Sequence, residues 1–425
     1  MAAFFIVADQ QFHLTLGPGG RPGRTPYNPV FVIRRFHFLT FFVFALSGAT
    51  AALCADASAP AAPAVRSDVD GLPPELQAIL NQVQSPWSVS ASVEASAGYK
   101  DNLLLSKYNP ERSSFVRGGF EALVWHIPRA RIDYFGFVNA ERTHYFNGIT
   151  IDHDSQAFAG FEWRYRIPDT LTVTFDTQGY YLDQIFDNSD TEIRRSVAKL
   201  IVSGMKVGPN IKWYPAKWLW IGGTVHGSRE TFRDGTNNAT IRDSVVSVGW
   251  VPHERIELEV RASENRRAFD IRHRYDDVGI LEEGMLRVHQ RVWDATLATR
   301  VTADGKLKME TRVGGLRYLD NGGGYLNYRQ HHYLQQVQWS PGKWQFRLDG
   351  EVRRKTYEKQ IVGHGFAIQP VIKEEYGVGV AIERELSPRW SVFGKFSWER
   401  TRSNDLPASY RVNEGLLGCR WNWEK

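Results

Sequence analysis

Residues 340–353, with the sequence SPGKWQFRLDGEVR, contain the pattern that decides the fold of this chain. A Pro-Gly turn comes first, a tryptophan follows it, and from there apolar and polar residues alternate. Successive side chains of a β-strand point to opposite faces of the sheet, so this alternation gives each face its own chemistry. One face would carry Trp344, Phe346, Leu348, Gly350 and Val352, and the other Gln345, Arg347, Asp349, Glu351 and Arg353. The stretch predicts an amphipathic strand that begins at a tight turn.

The same pattern recurs throughout the chain after residue 87. Seven times, an alternating run stops at a short turn containing proline, glycine or charged residues, and another run begins within a few residues. These turns are 127–130, 167–169, 214–217, 251–254, 303–305, 340–343 and 387–389. Eight longer polar stretches separate the runs on the other side. Short turns at one end and long loops at the other are typical of a transmembrane β-barrel in an outer membrane.

We therefore predict an all-β fold, an antiparallel up-and-down transmembrane barrel of about sixteen strands with both chain ends on the periplasmic side. The predicted strands are 87–101, 114–127, 130–144, 155–167, 170–184, 195–214, 217–230, 241–251, 255–266, 287–302, 306–318, 328–340, 343–356, 372–386, 390–401 and 411–423. A soluble antiparallel sheet can also alternate, with its charged face in water. A soluble sandwich, however, has no reason to keep every second connection short.

Tryptophans near the short turns also favour a membrane barrel. An amphipathic ring is favoured at a membrane interface, so we interpret these residues as an aromatic girdle on the periplasmic side. The predicted girdle is Trp125, Trp163, Trp213, Trp218, Trp220, Trp250, Trp339, Trp344 and Trp390.

Composition agrees with a β-barrel and argues against membrane helices, nucleic-acid binding and an intramolecular disulfide. Aromatic residues make up 13% of the chain, yet no stretch after residue 60 has the ~18 apolar residues of a membrane helix. The formal charge of +5 is spread along the sequence without a Lys/Arg cluster, so nucleic acid is not an expected partner. Cys419 is the one cysteine expected after leader removal, which excludes an intramolecular disulfide.

The amino end has the features of a secretory signal peptide. Arg34 and Arg35 precede an apolar run at 36–46, and small residues lead to an A-x-A-like site that ends at Ala57. We predict a leader over 1–57, an Ala/Pro linker with a short helix over 58–86, and the barrel over 87–425. The helical spacing at 75–83 would place a short periplasmic helix there, which could dock a periplasmic partner.

The carboxyl end resembles the terminal strand that the outer-membrane barrel-assembly machinery recognises. Leu417, Cys419, Trp421 and Trp423 alternate toward the end of the chain, although Glu424 and Lys425 follow where that signal usually ends on an aromatic residue. In layout, 87–425 resembles a Gram-negative outer-membrane barrel of porin type. Residues 98–106, GYKDNLLLS, are similar to the β-barrel porin families found beside exopolysaccharide genes. These resemblances imply an outer-membrane location and contact with outer-membrane lipid and lipopolysaccharide.

The charged strand faces are the predicted lining of the lumen. A sixteen-stranded barrel is wide enough to leave an aqueous channel unless something plugs it. The predicted lining residues are Arg131, Asp133, Glu162, Arg164, Asp176, Arg255, Glu257, Glu259, Arg261, Lys306, Lys308, Glu310, Arg312, Arg347, Asp349, Glu351, Arg353, Glu383 and Lys395. Acids and bases lie side by side in this set. They predict either a polar pore of weak charge selectivity or a salt-bridged wall that matters only for stability.

The segment 267–286 is predicted to be the longest loop, either folded inward to narrow the channel or exposed at the cell surface. No Ser/His/Asp set can be assembled from the spacing of the loop histidines, so neither catalysis nor a cofactor or metal is expected. Three functions remain open: a passive channel for small hydrophilic solutes, an export barrel linked to exopolysaccharide, and a non-conducting surface barrel.

Overall fold

The computed structural model describes residues 87–126, 131–187, 197–363 and 368–424, and sixteen β-strands follow one another within them. The strands are β1 (Trp87–Lys100), β2 (Ser113–His126), β3 (Ile132–Tyr145), β4 (His153–Ile167), β5 (Leu171–Asp187), β6 (Val197–Ala216), β7 (Leu219–Phe232), β8 (Ala239–His253), β9 (Ile256–Tyr275), β10 (Leu281–Arg300), β11 (Leu307–Asp320), β12 (Tyr328–Trp339), β13 (Trp344–Val362), β14 (Gln369–Ser387), β15 (Trp390–Ser403) and β16 (Tyr410–Glu424). Within these ranges, no helix has the length and apolar character needed to cross a membrane. The predicted leader, linker and short helix lie outside the described residues.

The sheet closes on itself. Each strand pairs antiparallel with its neighbours in sequence, and β1 pairs with β16 from Ser90↔Glu424 to Lys100↔Glu414. Closure leaves no unpaired sheet edge, which is the condition for a sheet to lie in hydrocarbon. The predicted antiparallel barrel of sixteen strands is confirmed.

The pairing register sets the width of the barrel. Tracing the paired residues once around the barrel returns to β1 about 20 residues further along. For sixteen strands, this stagger tilts them by roughly 40° from the barrel axis. A barrel of this size is wider than wall side chains alone can fill.

The two faces of the wall have opposite chemistry. On β7, Ile221 and Val225 are exposed on the outer face, whereas Thr224, His226 and Glu230 are buried on the inner face. The other strands follow the same division, with large apolar side chains outside and most ionic side chains inside. A water-soluble barrel would bury its apolar face. This wall is therefore built to be surrounded by lipid.

Most of the predicted girdle lies on the outer face, near the short turns (the turn end of the barrel). Trp213, Trp250, Trp339, Trp344 and Trp390 are exposed there. Trp339 and Trp344 both stack on Phe346, with ring centroids 5.3 and 5.9 Å apart. Trp163 lies on the outer face of β4, and Trp218 is exposed in the β6–β7 turn.

Two predicted girdle residues, Trp125 and Trp220, face the lumen instead. Trp125 lies on the same face of β2 as the buried Glu121, opposite the face of the exposed Val124. Trp220 is buried on the inner face of β7. Placing them in the girdle was wrong because closeness to a turn fixes a residue's height in the membrane but not the face it occupies.

The predicted loop at 267–286 is mostly strand. β9 continues to Tyr275 and β10 begins at Leu281, so the connection shrinks to 276–280. The tip is held by the neighbouring β11–β12 loop, because the Gly323 N–H donates to the carbonyl of Tyr275 at 2.7 Å. The segment is a paired ribbon at the rim near the longer connections (the loop end). The prediction of a long loop is therefore wrong, and of its two alternatives the structure matches exposure at the rim rather than folding into the channel.

The turn at 340–343 shows why the tight connections form where the sequence predicts them. Gly342 is the second residue of a tight turn over 341–344 and takes a left-handed conformation with φ +60°, which glycine adopts without a steric cost. The Trp344 N–H then donates to the carbonyl of Pro341 at 3.1 Å. The turn reverses the chain in four residues and starts β13 on its outer face with a tryptophan.

A charge placed on the outer face is expected to destabilise the barrel in lipid. Val246 is 60% exposed on the outer face of β8, whereas its neighbour Ser247 faces inward. Val246→Arg should lower the free energy of unfolding by ~2–4 kcal/mol, because a guanidinium would enter the hydrocarbon. The measurement is urea unfolding of the barrel refolded into phospholipid vesicles.

Ser247→Arg is the matched control, since it adds the same charge one residue away on the lumen side. It should cost less than ~1 kcal/mol. Equal losses for the two variants would contradict the assignment of faces.

Candidate functional site: the barrel lumen

The lumen is the site that the fold creates, and most of the predicted lining residues face it. Those on the inner faces of the strands are Asp133, Glu162, Arg164, Asp176, Glu257, Glu259, Arg261, Lys308, Glu310, Arg312, Arg347, Asp349, Glu351, Arg353, Glu383 and Lys395. The other three lie at the turn end, outside the strands: Arg131, Arg255 and Lys306. Lys306 pairs with Asp304 at 2.7 Å, and this hydrogen bond lowers the pKa of the Asp304 carboxyl.

Acids and bases alternate around the turn-end half of the wall. Arg166 lies 2.5 Å from the buried Asp133, and Arg164 lies between Asp133 and Glu162. On β7, the Nε2 of His226 is 2.8 Å from Asp176 on β5. Asp133 and Glu162 thus have guanidinium groups within reach and Asp176 has an imidazole, so the wall can hold many ionic groups without a large net field.

Trp220 takes part in this polar lining. Its indole N–H donates to Glu257 at 3.1 Å, and the ammonium of Lys212 lies 3.6 Å from its ring centroid. A buried indole needs a partner for its N–H, and a cation over the ring face is an additional attraction. Trp220 therefore links the charges of β6 and β9.

Ion pairs also cross the seam where β1 meets β16. Arg420 lies 2.8 Å from Glu383 on β14 and 3.4 Å from Glu94 on β1. Nearer the loop end, Arg117 on β2 lies 2.7 Å from Glu414 on β16. These pairs fasten together strands that come from opposite ends of the sequence.

The densest cluster of charges lies on β13 and β14. Glu375 accepts a hydrogen bond from Lys355 at 2.8 Å and has Arg353 and Lys373 within 3.5 Å. Arg353 also contacts Glu351. Three cations thus surround Glu375, and together with Glu351 the cluster has one more base than acid.

Toward the loop end, the lining becomes aromatic and apolar. The rings of Tyr318 and Tyr328 stack with centroids 4.9 Å apart, and Tyr357 lies 5.4 Å from Tyr328. We call these three residues the tyrosine collar. They belong to a larger buried cluster, which also contains Leu182, Val202, Phe232, Ala239, Phe269, Leu286, Val288, Leu326 and Val371.

Sequence reasoning missed the tyrosine collar and much of the charge network, including Arg117, Glu375, Glu414 and Arg420. Part of the collar could have been predicted from the sequence. Continuing the polar face of β13 from Arg353 by steps of two residues leads through Lys355 to Tyr357, but the predicted strand stopped at 356. The pairs across the seam could not be found in this way, because they depend on which residues meet when the barrel closes.

The chain was compared with protein-family models, curated proteins and solved structures. No protein-family model and no curated protein sequence matches the chain. Among solved structures, the chain is similar to Acinetobacter baumannii OccAB3, with 10% identity, a TM-score of 0.43, and coverage of 79% of this chain and 99% of that one. It is also similar to a loop-deletion mutant of OmpT, an outer membrane protein of Vibrio cholerae, with 11% identity, a TM-score of 0.42, and coverage of 80% and 100%. A third is a bacterial polysaccharide outer membrane secretin, with 10% identity, a TM-score of 0.40, and coverage of 79% and 97%. At this level of similarity, we take no activity or substrate from these proteins.

Adjacent cysteines should report which face is wet. Glu259 faces the lumen and Val260 the outer belt. In a Cys419→Ser background, Glu259→Cys should react with a charged, membrane-impermeant thiol reagent roughly tenfold faster or more than Val260→Cys, because the reactive thiolate forms in water and is disfavoured in lipid. The measurement is the labelling rate in vesicles. Equal rates at both positions would mean that the inner face is not in contact with water.

Proposed function

We propose that this chain is an outer-membrane channel that lets small hydrophilic solutes diffuse through its lumen with weak charge selectivity. The observation that carries the proposal is the inner face, where paired acids and bases line a barrel whose outer face is apolar. Such a wall favours water and polar solutes inside and lipid outside. Short turns at one end and ribbon-like hairpins at the other fit an orientation with the turn end in the periplasm.

The balance of charge supports weak selectivity. Arg164 and Arg166 surround Asp133 on one side of the wall, and Arg353, Lys355 and Lys373 surround Glu375 on another. Next to the second group, between β14 and β1, Glu94 and Glu383 flank Arg420. Patches of differing charge therefore lie next to one another around the wall. They would create transverse fields on polar solutes without excluding either anions or cations.

Nearer the loop end, the tyrosine collar is buried in the wall, with Tyr318, Tyr328 and Tyr357 each 2% exposed, and it would narrow the lumen rather than contact a solute. The ammonium of Lys355 lies 5.9 Å from the Tyr328 ring, so the charged and aromatic sections adjoin each other directly.

Electrical recording tests the proposal. The mature barrel, inserted into a planar lipid bilayer in potassium chloride, should give discrete conductance steps with modest ion selectivity. A folded barrel, verified by heat-modifiable migration, that inserts but gives no steps would overturn the channel and would leave a non-conducting barrel.

Neutralising one carboxylate should reveal the wall's contribution to selectivity. Glu375→Gln should shift the reversal potential in a salt gradient toward anions, because three cations around position 375 lose their shared counter-charge. Glu374→Gln is the matched control, since Glu374 lies on the outer face beside Arg354. It should leave the reversal potential unchanged. A shift of similar size in both variants would contradict conduction along the described inner face.

A further inference from the structure

Arginines occupy five adjacent strands on the outer face, where the strands leave the apolar belt toward the loop end. We call these residues the arginine row: Arg242 on β8, Arg266 on β9, Arg291 on β10, Arg317 on β11 and Arg329 on β12. All five are exposed. Their height is set by the belt directly below, since Trp293 lies two residues from Arg291 on the same outer face and is 55% exposed.

The pairing register places these arginines directly opposite one another. Arg242 is the partner of Arg266, and Arg317 is the partner of both Arg291 and Arg329. Residues directly opposite on antiparallel strands have Cβ atoms ~5 Å apart, and like charges in such positions destabilise the sheet. Such a row is stable only if negatively charged groups nearby offset the repulsion between the arginines.

The chain supplies only some of them. Arg266 has Glu264 at 2.8 Å, while Arg317 and Arg329 share Glu358 at 3.7 and 3.3 Å. Arg291 is the register partner of Glu264, which already contacts Arg266, and within the described part of the chain neither Arg242 nor Arg291 forms an ion pair. Five guanidinium groups therefore face two carboxylates, and the unmatched charge lies at the junction between hydrocarbon and headgroups.

We propose that the arginine row binds the phosphate groups of an outer-leaflet glycolipid of the lipid A type. This inference rests on the proposed outer-membrane location and names a ligand for the outside of the barrel. Guanidinium groups match phosphate oxygens with two parallel hydrogen bonds, which ammonium groups cannot do. The apolar belt below the row would accept the acyl chains of the same molecule, so headgroup and tails are both accommodated.

A second copy of the barrel fits this surface less well. It would have to present acids at the same height on its own outer face. The outward carboxylates near that level, Glu264, Glu358 and Glu374, already lie beside arginines of their own chain. A phosphorylated lipid supplies the missing negative charge without such competition.

The test is retention of lipid by the purified, refolded barrel in detergent. Incubated with bis-phosphorylated lipid A, the native chain should co-elute with it and should retain far less of the same lipid after dephosphorylation. The triple variant Arg291→Gln, Arg317→Gln, Arg329→Gln should bind the phosphorylated lipid roughly tenfold more weakly or worse, the equivalent of one lost charge-assisted contact. Inorganic phosphate at millimolar concentration should compete only weakly, since it lacks the acyl chains.

Two further variants keep the result interpretable. Replacing the same three arginines by lysine retains the charge but not the paired hydrogen bonds, so binding should fall between that of the native chain and the glutamine variant. Lys343→Gln, Arg384→Gln, Arg389→Gln removes three charges near the turn end, at the opposite interface, and should leave lipid A binding unchanged.

Three results would overturn the site: equal retention of phosphorylated and dephosphorylated lipid, unchanged binding in the glutamine variant, or loss of a dimer rather than of lipid in that variant. The failure of this site and of the channel can be told apart. A barrel that conducts but ignores lipid A refutes the lipid site alone, and a barrel that retains lipid A without conducting refutes the channel alone.

Discussion

The hydrogen bonds between β1 and β16 are the interaction on which the rest of the structure depends. In hydrocarbon, no water is available for unpaired backbone groups, so an open sheet edge would cost several kcal/mol per exposed group. Pairing the first strand with the last removes both edges at once. Once the sheet is closed, alternation in the sequence becomes a division between inside and outside, and every side chain is committed to lipid or lumen.

That division explains how so many charges coexist in one wall. On the inner face, acids lie beside bases on neighbouring strands, and pairs such as Arg117 with Glu414 extend across the seam. On the outer face, charges lie at the two ends of the apolar belt, toward the headgroup regions. The same residue type therefore occurs in two settings: arginine inside neutralises wall carboxylates, whereas the arginine row outside has more guanidinium groups than carboxylates and carries the lipid site that we propose.

The sequence was informative wherever the signal is local. Period-two alternation and short turns such as 340–343 predicted the strand number and the character of the faces, because both depend on residues close in the chain. The strand ends toward the loop side were less visible. At 267–275, polar residues alternate with Phe269 and Ile271. Beyond the apolar belt, however, the outward positions are polar as well, so the alternation between apolar and polar residues fades. The sequence therefore indicates a loop where the structure has a strand.

Features that depend on register were largely beyond reach. The inward face of Trp220 follows from its alternation with Ile221, which a stricter count along the strand would have found. The convergence of Arg353, Lys355 and Lys373 on Glu375 follows from how β13 is aligned with β14. No spacing along the chain encodes that alignment.

The pairing of β1 with β16 also has a consequence for how the barrel folds. Ala95 meets Cys419, so a contact essential to the finished sheet joins residues from the two ends of the domain. Hairpins between successive strands can assemble early, but the cylinder cannot shut until the last segment has been synthesised and delivered. Until then, the edges of the first and last strands remain unpaired. Unpaired edges promote aggregation, and pairing between residues so distant in sequence is slow.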